Sequence, residues 1–195
     1  MAGSRLLVER SIHDEFVELL GEAARNIRVG DPLLLTTQVG AVSSAERLQK
    51  DLQHVQRAQE EGAQLVTGGA QIHVDTGGFY MQPTVFAGVQ PQMRLAQEEV
   101  FGPVLGVMPF EDEAEALRIA NGTEYGLAAA VWTGNLGRAH RMIRLVHAGL
   151  VHVNCYGGAD VTVPLGGLKQ SGNGVDKSLH ALDKYTDLKT AWIQL

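Results

Sequence analysis

Apolar residues recur at intervals of three to four positions twice in the first third of the chain. Ile12, Phe16, Leu19, Leu20, Ala23 and Ile27 follow Ser11, with Asp14 three positions after that cap, and predict an amphipathic helix over 12–28. Gly30-Asp31-Pro32 ends it. Ala45, Leu48, Leu52 and Val55 then predict a second helix behind Ser43-Ser44, closing near Gly62. From Ala63 the period changes. Gln64 to Thr67, Tyr80 to Val85 and Val104 to Pro109 are short β-rich runs set off by Gly, Asp and Pro, and they predict strands.

A helix at about 111–121, a strand at 128–132, a helix at 136–147 and a strand at 150–154 continue the chain. Strand, helix, strand, helix, strand is the order of a parallel sheet with helical crossovers. Beyond it lie a glycine-rich stretch from Val163 to Gly174, a short helix near 176–184 and a β-like segment from Leu188 to Leu195. The fold class expected is α/β: one three-layer domain with a mainly parallel sheet, plus a C-terminal β arm.

Composition narrows the partners. The 195 residues are 45% hydrophobic and 19% charged, with both signs interspersed, and a chain of this size buries roughly 70% of its unfolded surface. A formal net charge of −6 argues against a phosphate-backbone binder, which needs clustered Lys and Arg, so nucleic acid is not an expected partner. No run approaches the roughly 18 apolar residues of a membrane span, and Met1-Ala2-Gly3-Ser4-Arg5 opens no long apolar leader; no membrane partner and a cytoplasmic location are expected. Cys155 is the only cysteine, which excludes an internal disulfide, and the seven histidines are scattered, so no metal site is expected.

Three stretches invite chemistry. Gly166-Gly167-Leu168-Lys169-Gln170-Ser171-Gly172-Asn173-Gly174 has neither the Walker spacing, because Asn173 stands where Lys is needed, nor the dinucleotide spacing, because Lys177 stands where Gly is needed. It reads as a turn-rich connection approaching a cleft. Cys155, at the end of the strand from Leu150 to Asn154, reads as a small core residue rather than an activated thiolate. Glu98-Glu99, before Val100-Phe101-Gly102-Pro103, is either a solvated turn or a binding carboxylate, and the residues alone leave both open.

Five segments, in order and spacing, carry a family resemblance. Ala2-Gly3-Ser4-Arg5, Gln97-Glu98-Glu99-Val100-Phe101-Gly102-Pro103-Val104, Asn121-Gly122-Thr123-Glu124-Tyr125-Gly126-Leu127-Ala128-Ala129, Val153-Asn154-Cys155 and Pro164-Leu165-Gly166-Gly167-Leu168-Lys169-Gln170-Ser171-Gly172 resemble the aldehyde dehydrogenase superfamily. The resemblance covers the whole chain. From Asp160 to Pro164 and from Asp176 to Leu182 it looks most like the bacterial γ-glutamyl-γ-aminobutyraldehyde dehydrogenases of putrescine breakdown.

The resemblance implies a C-terminal portion of a larger enzyme that oxidises an aldehyde, here an amino-aldehyde such as γ-glutamyl-γ-aminobutyraldehyde, to a carboxylate with NAD or NADP, NAD being favoured. The family's nucleophilic cysteine, in Cys-x-Ala-Gly-Ser-Arg, falls two residues before Ala2 and so outside the chain. The cofactor-binding domain, the general-base glutamate and the oxyanion-hole asparagine fall upstream as well. No catalytic residue is therefore assigned, and the chain by itself is expected to be inactive and to hold the cofactor only weakly.

Of the cofactor contacts, Glu99 matches the carboxylate that accepts from the nicotinamide-ribose hydroxyls, and Phe101 matches the aromatic beside the nicotinamide ring. Leu165 falls where many members place a phenylalanine lining the aldehyde tunnel, and 155–163 fall on the loop that shapes it. Val175 replaces the usual Arg before an acidic residue, here Asp176, which puts in question any ion pair tied to that Arg. Cys155 is not the family's nucleophile. The resemblance implies an incomplete catalytic domain over 1–183, an oligomerisation arm over 184–195, a small aldehyde as substrate and a homo-oligomer. The rival expectation is a non-catalytic truncated module that only folds and self-associates.

Overall fold

Local caps and breakers mark the bounds of several helices and strands in this protein. The computed structural model describes residues 3–157 and 160–195, so Ala2 of the opening motif and residues 158 and 159 of the 155–163 loop lie outside the described residues. Contacts divide the chain into two compact units, with the boundary in sequence between Gly122 and Thr123.

The first unit is built on β1 (Arg5–Glu9), α1 (His13–Arg25), α2 (Ala45–Glu60), β2 (Gln64–Thr67), β3 (Gln71–Ile72), β4 (Tyr80–Met81), β5 (Thr84–Ala87), α3 (Arg94–Gln97), β6 (Val104–Phe110) and α4 (Glu113–Asn121). Its central sheet has the order β1, β6, β5, β2. β6 is parallel to both β1 and β5, with Leu7 opposite Met108 and Val85 opposite Leu105, while β2 closes the edge antiparallel to β5.

Because successive strand residues face opposite sides, the sheet sorts its own core into two halves. Leu7, Leu65, Phe86, Val104 and Met108 pack with Leu48 and Val55 of α2 and Ile119 of α4. Leu6, Val8, Val66, Val85 and Val107 pack with Val17, Leu20 and Ala24 of α1. Helix, sheet, helix is the three-layer α/β arrangement expected, but the single parallel sheet expected to run on through 128–132 and 150–154 is not formed: those two strands pair with each other in a separate sheet, and β6 pairs with β1 and β5. Phe86, Met81 and Met108 are essentially removed from water, and each contributes roughly 1.5–3 kcal/mol.

α2 follows its sequence signals closely. The Ser44 hydroxyl accepts from the Arg47 amide at 3.1 Å, Leu48, Asp51, Val55 and Ala58 form one buried stripe, and Gly62 at φ 94° takes the left-handed turn that ends the helix. α4 is capped by the Asp112 carboxylate on the Glu115 amide at 2.8 Å. Its last turn receives the Arg5 guanidinium, which donates to the carbonyls of Ile119 at 3.1 Å and Ala120 at 2.9 Å.

α1 departs from expectation. Arg10–Ile12 forms a 3-10 turn, so the helix starts at His13 with Ile12 as its cap, and the Ser11 hydroxyl donates to Glu9 instead. The buried face is His13, Val17, Leu20, Gly21 and Ala24, while Ile12, Phe16 and Leu19 are exposed. Close approach decides this choice. A Cβ on Gly21 would come 2.7 Å from Val66 Cγ1, so only the small-residue stripe lets the helix lie this near the sheet.

The run expected over Tyr80 to Val85 is two strands. Pro83, which has no amide donor, separates β4, paired with β3, from β5 in the main sheet. β1 and α3 were not anticipated from the pattern.

The second unit contains β7 (Tyr125–Gly126), β8 (Ala128–Val131), α5 (Leu136–Leu145), β9 (Leu150–Val153), β10 (Leu165–Gly166), β11 (Leu168–Lys169), β12 (Val175–Asp176) and a 3-10 helix, Leu179–Tyr185. β8 and β9 are parallel, from Ala128 opposite Leu150 to Val131 opposite Val153, joined through α5 with Asn135 as its cap. β7 pairs with β11, and β10 with β12, as two-residue ladders. The helix expected at 176–184 is the 3-10 segment, started by Ser178 at φ 52°. Residues 186–195 form no strand with any described residue, because a β segment needs an edge to pair with.

Candidate functional site

Glu99 and Phe101 stand on the loop between α3 and β6. Buried Val100 between them, 6% exposed, anchors the loop and leaves Glu99 and Phe101 turned outward, the latter 69% exposed. Both ends of the loop are tied down. Gln97 donates to the carbonyls of Pro91 at 2.5 Å and Gly122 at 2.9 Å, and the Pro103 carbonyl accepts from the Thr84 amide at 2.8 Å. The Thr84 hydroxyl in turn takes the Gly69 amide at 2.8 Å and gives to the Gln82 carbonyl at 2.8 Å. A loop held this way presents its outward side chains at fixed positions.

The two adjacent glutamates have different surroundings. Glu98 is engaged by Arg94 at 3.2 Å and faces His54 Nδ1 at 4.0 Å. Burial lowers the His54 pKa from its ordinary value, against the opposing pull of Glu98. Glu99 has no ion pair or side-chain hydrogen bond with any described residue. An exposed carboxylate of this kind is an acceptor free to take two hydroxyls of a diol, and an exposed ring beside it is an apolar wall. Those two features fit the nicotinamide-riboside end of a dinucleotide.

Behind the loop lies a pair that the sequence pattern did not single out. Asp51 of α2 is 0% exposed and sits against Gly102, where a Cβ would collide with its carboxylate. Arg47, one helical turn earlier, approaches Asp51 Oδ1 at 3.6 Å and lays its guanidinium over the Phe101 ring, 5.7 Å from the centroid. Burial raises the Asp51 pKa, and Arg47 opposes that rise. The signal available in the sequence was a carboxylate within the stripe Leu48, Asp51, Val55, Ala58.

Leu165 belongs to the second unit. It is half-buried on β10 opposite Asp176, and with Leu127, Gly167, Ser171, Asp176 and Lys184 it lines a cleft of about 280 Å³. Asp176 is held by Lys184, so an acid that the family pairs near an Arg here has a lysine nine positions after Val175 as its partner. Hydrogen bonding to Asp176 raises the Lys184 pKa. The glycine-rich stretch is a connection stitched to residues 123–126. The Gln170 amide donates to the Glu124 carbonyl at 2.9 Å, and the Ser171 hydroxyl accepts from the Gly126 amide at 3.0 Å.

Cys155 differs from expectation: it is exposed rather than core. β9 ends at Val153, and Asn154, at φ 55°, turns the chain out of the sheet while its side-chain amide is held by the Thr133 backbone at 2.8 and 3.0 Å. The thiol therefore falls past the last paired residue. Among the described residues no group of three His, Cys, Asp or Glu is placed to hold a metal, and no helix is long and apolar enough to cross a membrane.

Comparison with known proteins identifies the family. The Aldehyde dehydrogenase family model matches residues 1–191. The NADP/NAD-dependent aldehyde dehydrogenase PuuC of Escherichia coli K12 is 47% identical over 100% of this chain and 39% of its own length. A betaine aldehyde dehydrogenase of Sinorhizobium fredii is 46% identical over 98% of this chain and 39% of its own length. The solved structure of an indole-3-acetaldehyde dehydrogenase with NAD+ superposes with a TM-score of 0.94 at 55% identity, covering 100% of this chain and 39% of that one. The chain thus spans about two fifths of the length of these relatives, and it belongs to the aldehyde dehydrogenase family.

Proposed function

We propose that this chain forms part of an NAD(P)-dependent enzyme that oxidises an aldehyde to a carboxylate, with Glu99 and Phe101 meeting the nicotinamide riboside and Leu165 lining the aldehyde tunnel. The observation that carries the reading is the pairing of an unengaged carboxylate with an exposed ring on one anchored loop, two residues apart around buried Val100. Bound cofactor supplies the hydride acceptor. The chain's own residues do the orienting: Glu99 accepts from the ribose hydroxyls, and Phe101 restricts the ring to one face, which holds the reacting atoms in line. NAD is the favoured cofactor, supported by the NAD+ complex of the indole-3-acetaldehyde relative.

An amino-aldehyde such as γ-glutamyl-γ-aminobutyraldehyde is the favoured substrate, supported by the likeness to PuuC, and putrescine catabolism in the cytoplasm is the setting that follows. Residues 1–183 would belong to the catalytic domain and 184–195 to an arm that pairs with a neighbouring subunit, giving a homo-oligomer. Kinetics of the full-length enzyme, restored by joining this chain to its upstream portion, test the reading. Hydrogen bonds to a charged group contribute roughly 1.5–3 kcal/mol, so Glu99→Gln should weaken cofactor use about ten- to a hundredfold with folding intact. Unchanged kinetics and unchanged thermal stability would return Glu99 to a solvated turn.

The rival reading is a non-catalytic module that folds and self-associates, and what supports self-association is the exposed apolar segment with Leu188, Trp192 and Ile193. The gene sequence upstream of Met1, with the intact mass of the protein in its source cells, separates the two. An open frame with Cys just before Met1 supports the enzyme.

A further inference from the structure

Asp51 is the only buried carboxylate among the described residues, and neither of its oxygens has a hydrogen-bond partner. An acid enclosed in this way is costly to keep, and a hydrophobic residue in the α2 stripe would fill the same place at less cost. Its two neighbours show what it does. Arg47 Nη1 lies 3.6 Å away, beyond hydrogen-bond range but within ion-pair range, and that guanidinium covers the Phe101 ring at 5.7 Å. On the other side the carboxylate abuts Gly102, the residue directly after Phe101, at a position where any Cβ would collide with it. Asp51 therefore touches both the cation stacked on Phe101 and the backbone that carries Phe101. His54, three residues on in α2, also bears electrostatically on Asp51, but its ring faces Glu98 at 4.0 Å, and Arg94 is engaged by the same Glu98.

We infer that Asp51 and Arg47 are positioning residues for the cofactor wall: Asp51 orients the Arg47 guanidinium, and the guanidinium holds the exposed Phe101 ring in one pose. The inference rests on the reading of Phe101 as the wall of the nicotinamide site. A planar cation suits the task because it stacks on an aromatic face while keeping an edge for a carboxylate, which an ammonium does less well.

The test is aromatic ¹³C NMR of the 195-residue chain, labelled at phenylalanine and free of cofactor. With five phenylalanines, the Phe101 signals are assigned by their loss in Phe101→Leu, and buried Phe86 reports on the core. Arg47→Gln and Asp51→Asn should shift the Phe101 signals in the same direction with Phe86 unmoved. The double variant should shift them no further than Arg47→Gln alone, and Arg47→Lys should shift them less. Phe101 signals unmoved by Arg47→Gln, or moved by it yet unmoved by Asp51→Asn, overturn the inference. If Asp51→Asn does not fold, Asp51→Ala takes its place under the same criteria.

Because cofactor is absent from this measurement, its failure leaves the cofactor reading standing. That reading fails separately if Phe101→Leu in the restored enzyme keeps the wild-type KM for NAD+.

Discussion

The two compact units bury their apolar residues very differently. Up to Gly122, a four-stranded sheet is covered on one face by α1 and on the other by α2 and α4, and its buried hydrophobics run from Val8 to Ile119. Among the described residues from Thr123 onward only Ala139, Met142 and Val146 are buried hydrophobics, while Trp132, Leu136, Leu179, Tyr185, Leu188 and Trp192 are largely exposed. The first unit closes a core from its own sequence. The second consists of one parallel strand pair, one helix and two-residue ladders, and its apolar surface is of the kind that marks an interaction face. Both candidate cofactor contacts stand on the well-packed unit, where a loop can be anchored at both ends.

The largest effect expected is on activity. If the first unit presents cofactor contacts and neither unit holds the family's nucleophile or base, the chain alone oxidises no aldehyde with NAD+ or NADP+. Removing a covalent nucleophile from residues that act together costs on the order of a millionfold. NAD(P)H absorbance with γ-aminobutyraldehyde derivatives and simple aldehydes checks this, against Cys155→Ser. The exposure of Cys155 makes the control necessary, since access alone does not exclude it. Turnover present in the wild type and lost in Cys155→Ser would move the chemistry to the second unit.

Stability should show the contrast directly. Phe86→Ala, in the enclosed sheet, should cost about 3–5 kcal/mol, and Met142→Ala, on a helix with one thin partner layer, about 2 kcal/mol because its site can collapse. Thermal unfolding of both variants measures the difference. Equal losses would mean that the second unit is as well packed as the first.

Self-association sharpens the same contrast. Leu188, Trp192 and Ile193 are 107%, 91% and 81% exposed, and unpaired apolar segments of this kind seek an edge. Light scattering should report a dimer or larger species, and removal of residues 186–195 should give a monomer with little change in unfolding temperature. A monomeric intact chain at high concentration counts against the arm.

The smallest effect concerns Asp51. Burial raises its pKa, so the folded chain holds that proton more tightly than the unfolded chain. The stability this proton confers is fully present below the ordinary carboxylate pKa of about 4 and is lost as pH rises through the raised folded value. Asp51→Asn lacks the titration, so its unfolding temperature relative to wild type should rise with pH across that window. A constant difference would show that Asp51 titrates as it does in the unfolded chain.

Most of the elements were legible because their causes are local. The stripe of α2 and its Ser44 cap, the short strands between Gly and Pro breakers, and the β8-α5-β9 alternation all follow from residues within a turn or two of one another. Glu99 and Phe101 were legible through family motifs and not through chemistry, since an isolated Glu-Glu pair reads equally well as a solvated turn. The pairing of Glu98 with Arg94 is local to one turn of α3, but the approach of His54 to Glu98 depends on α2 and α3 meeting.

What the sequence determined by itself was the alternation, hence the α/β class, and the motifs that mark the family. Which side of each element would be used was decided by tertiary structure. α1 carries two apolar stripes, and periodicity favoured the one with the larger residues. The sheet took the other, because Gly21 and Ala24 allow an approach that Phe16 and Leu19 would block. Cys155 followed a strand in sequence, yet the turn at Asn154 carried it out of the core. The terminal segment has β-like residues but no strand, since a strand exists only in a pair. Period and cap are properties of neighbours along the chain, whereas close approach, enclosure and pairing are properties of residues brought together from afar.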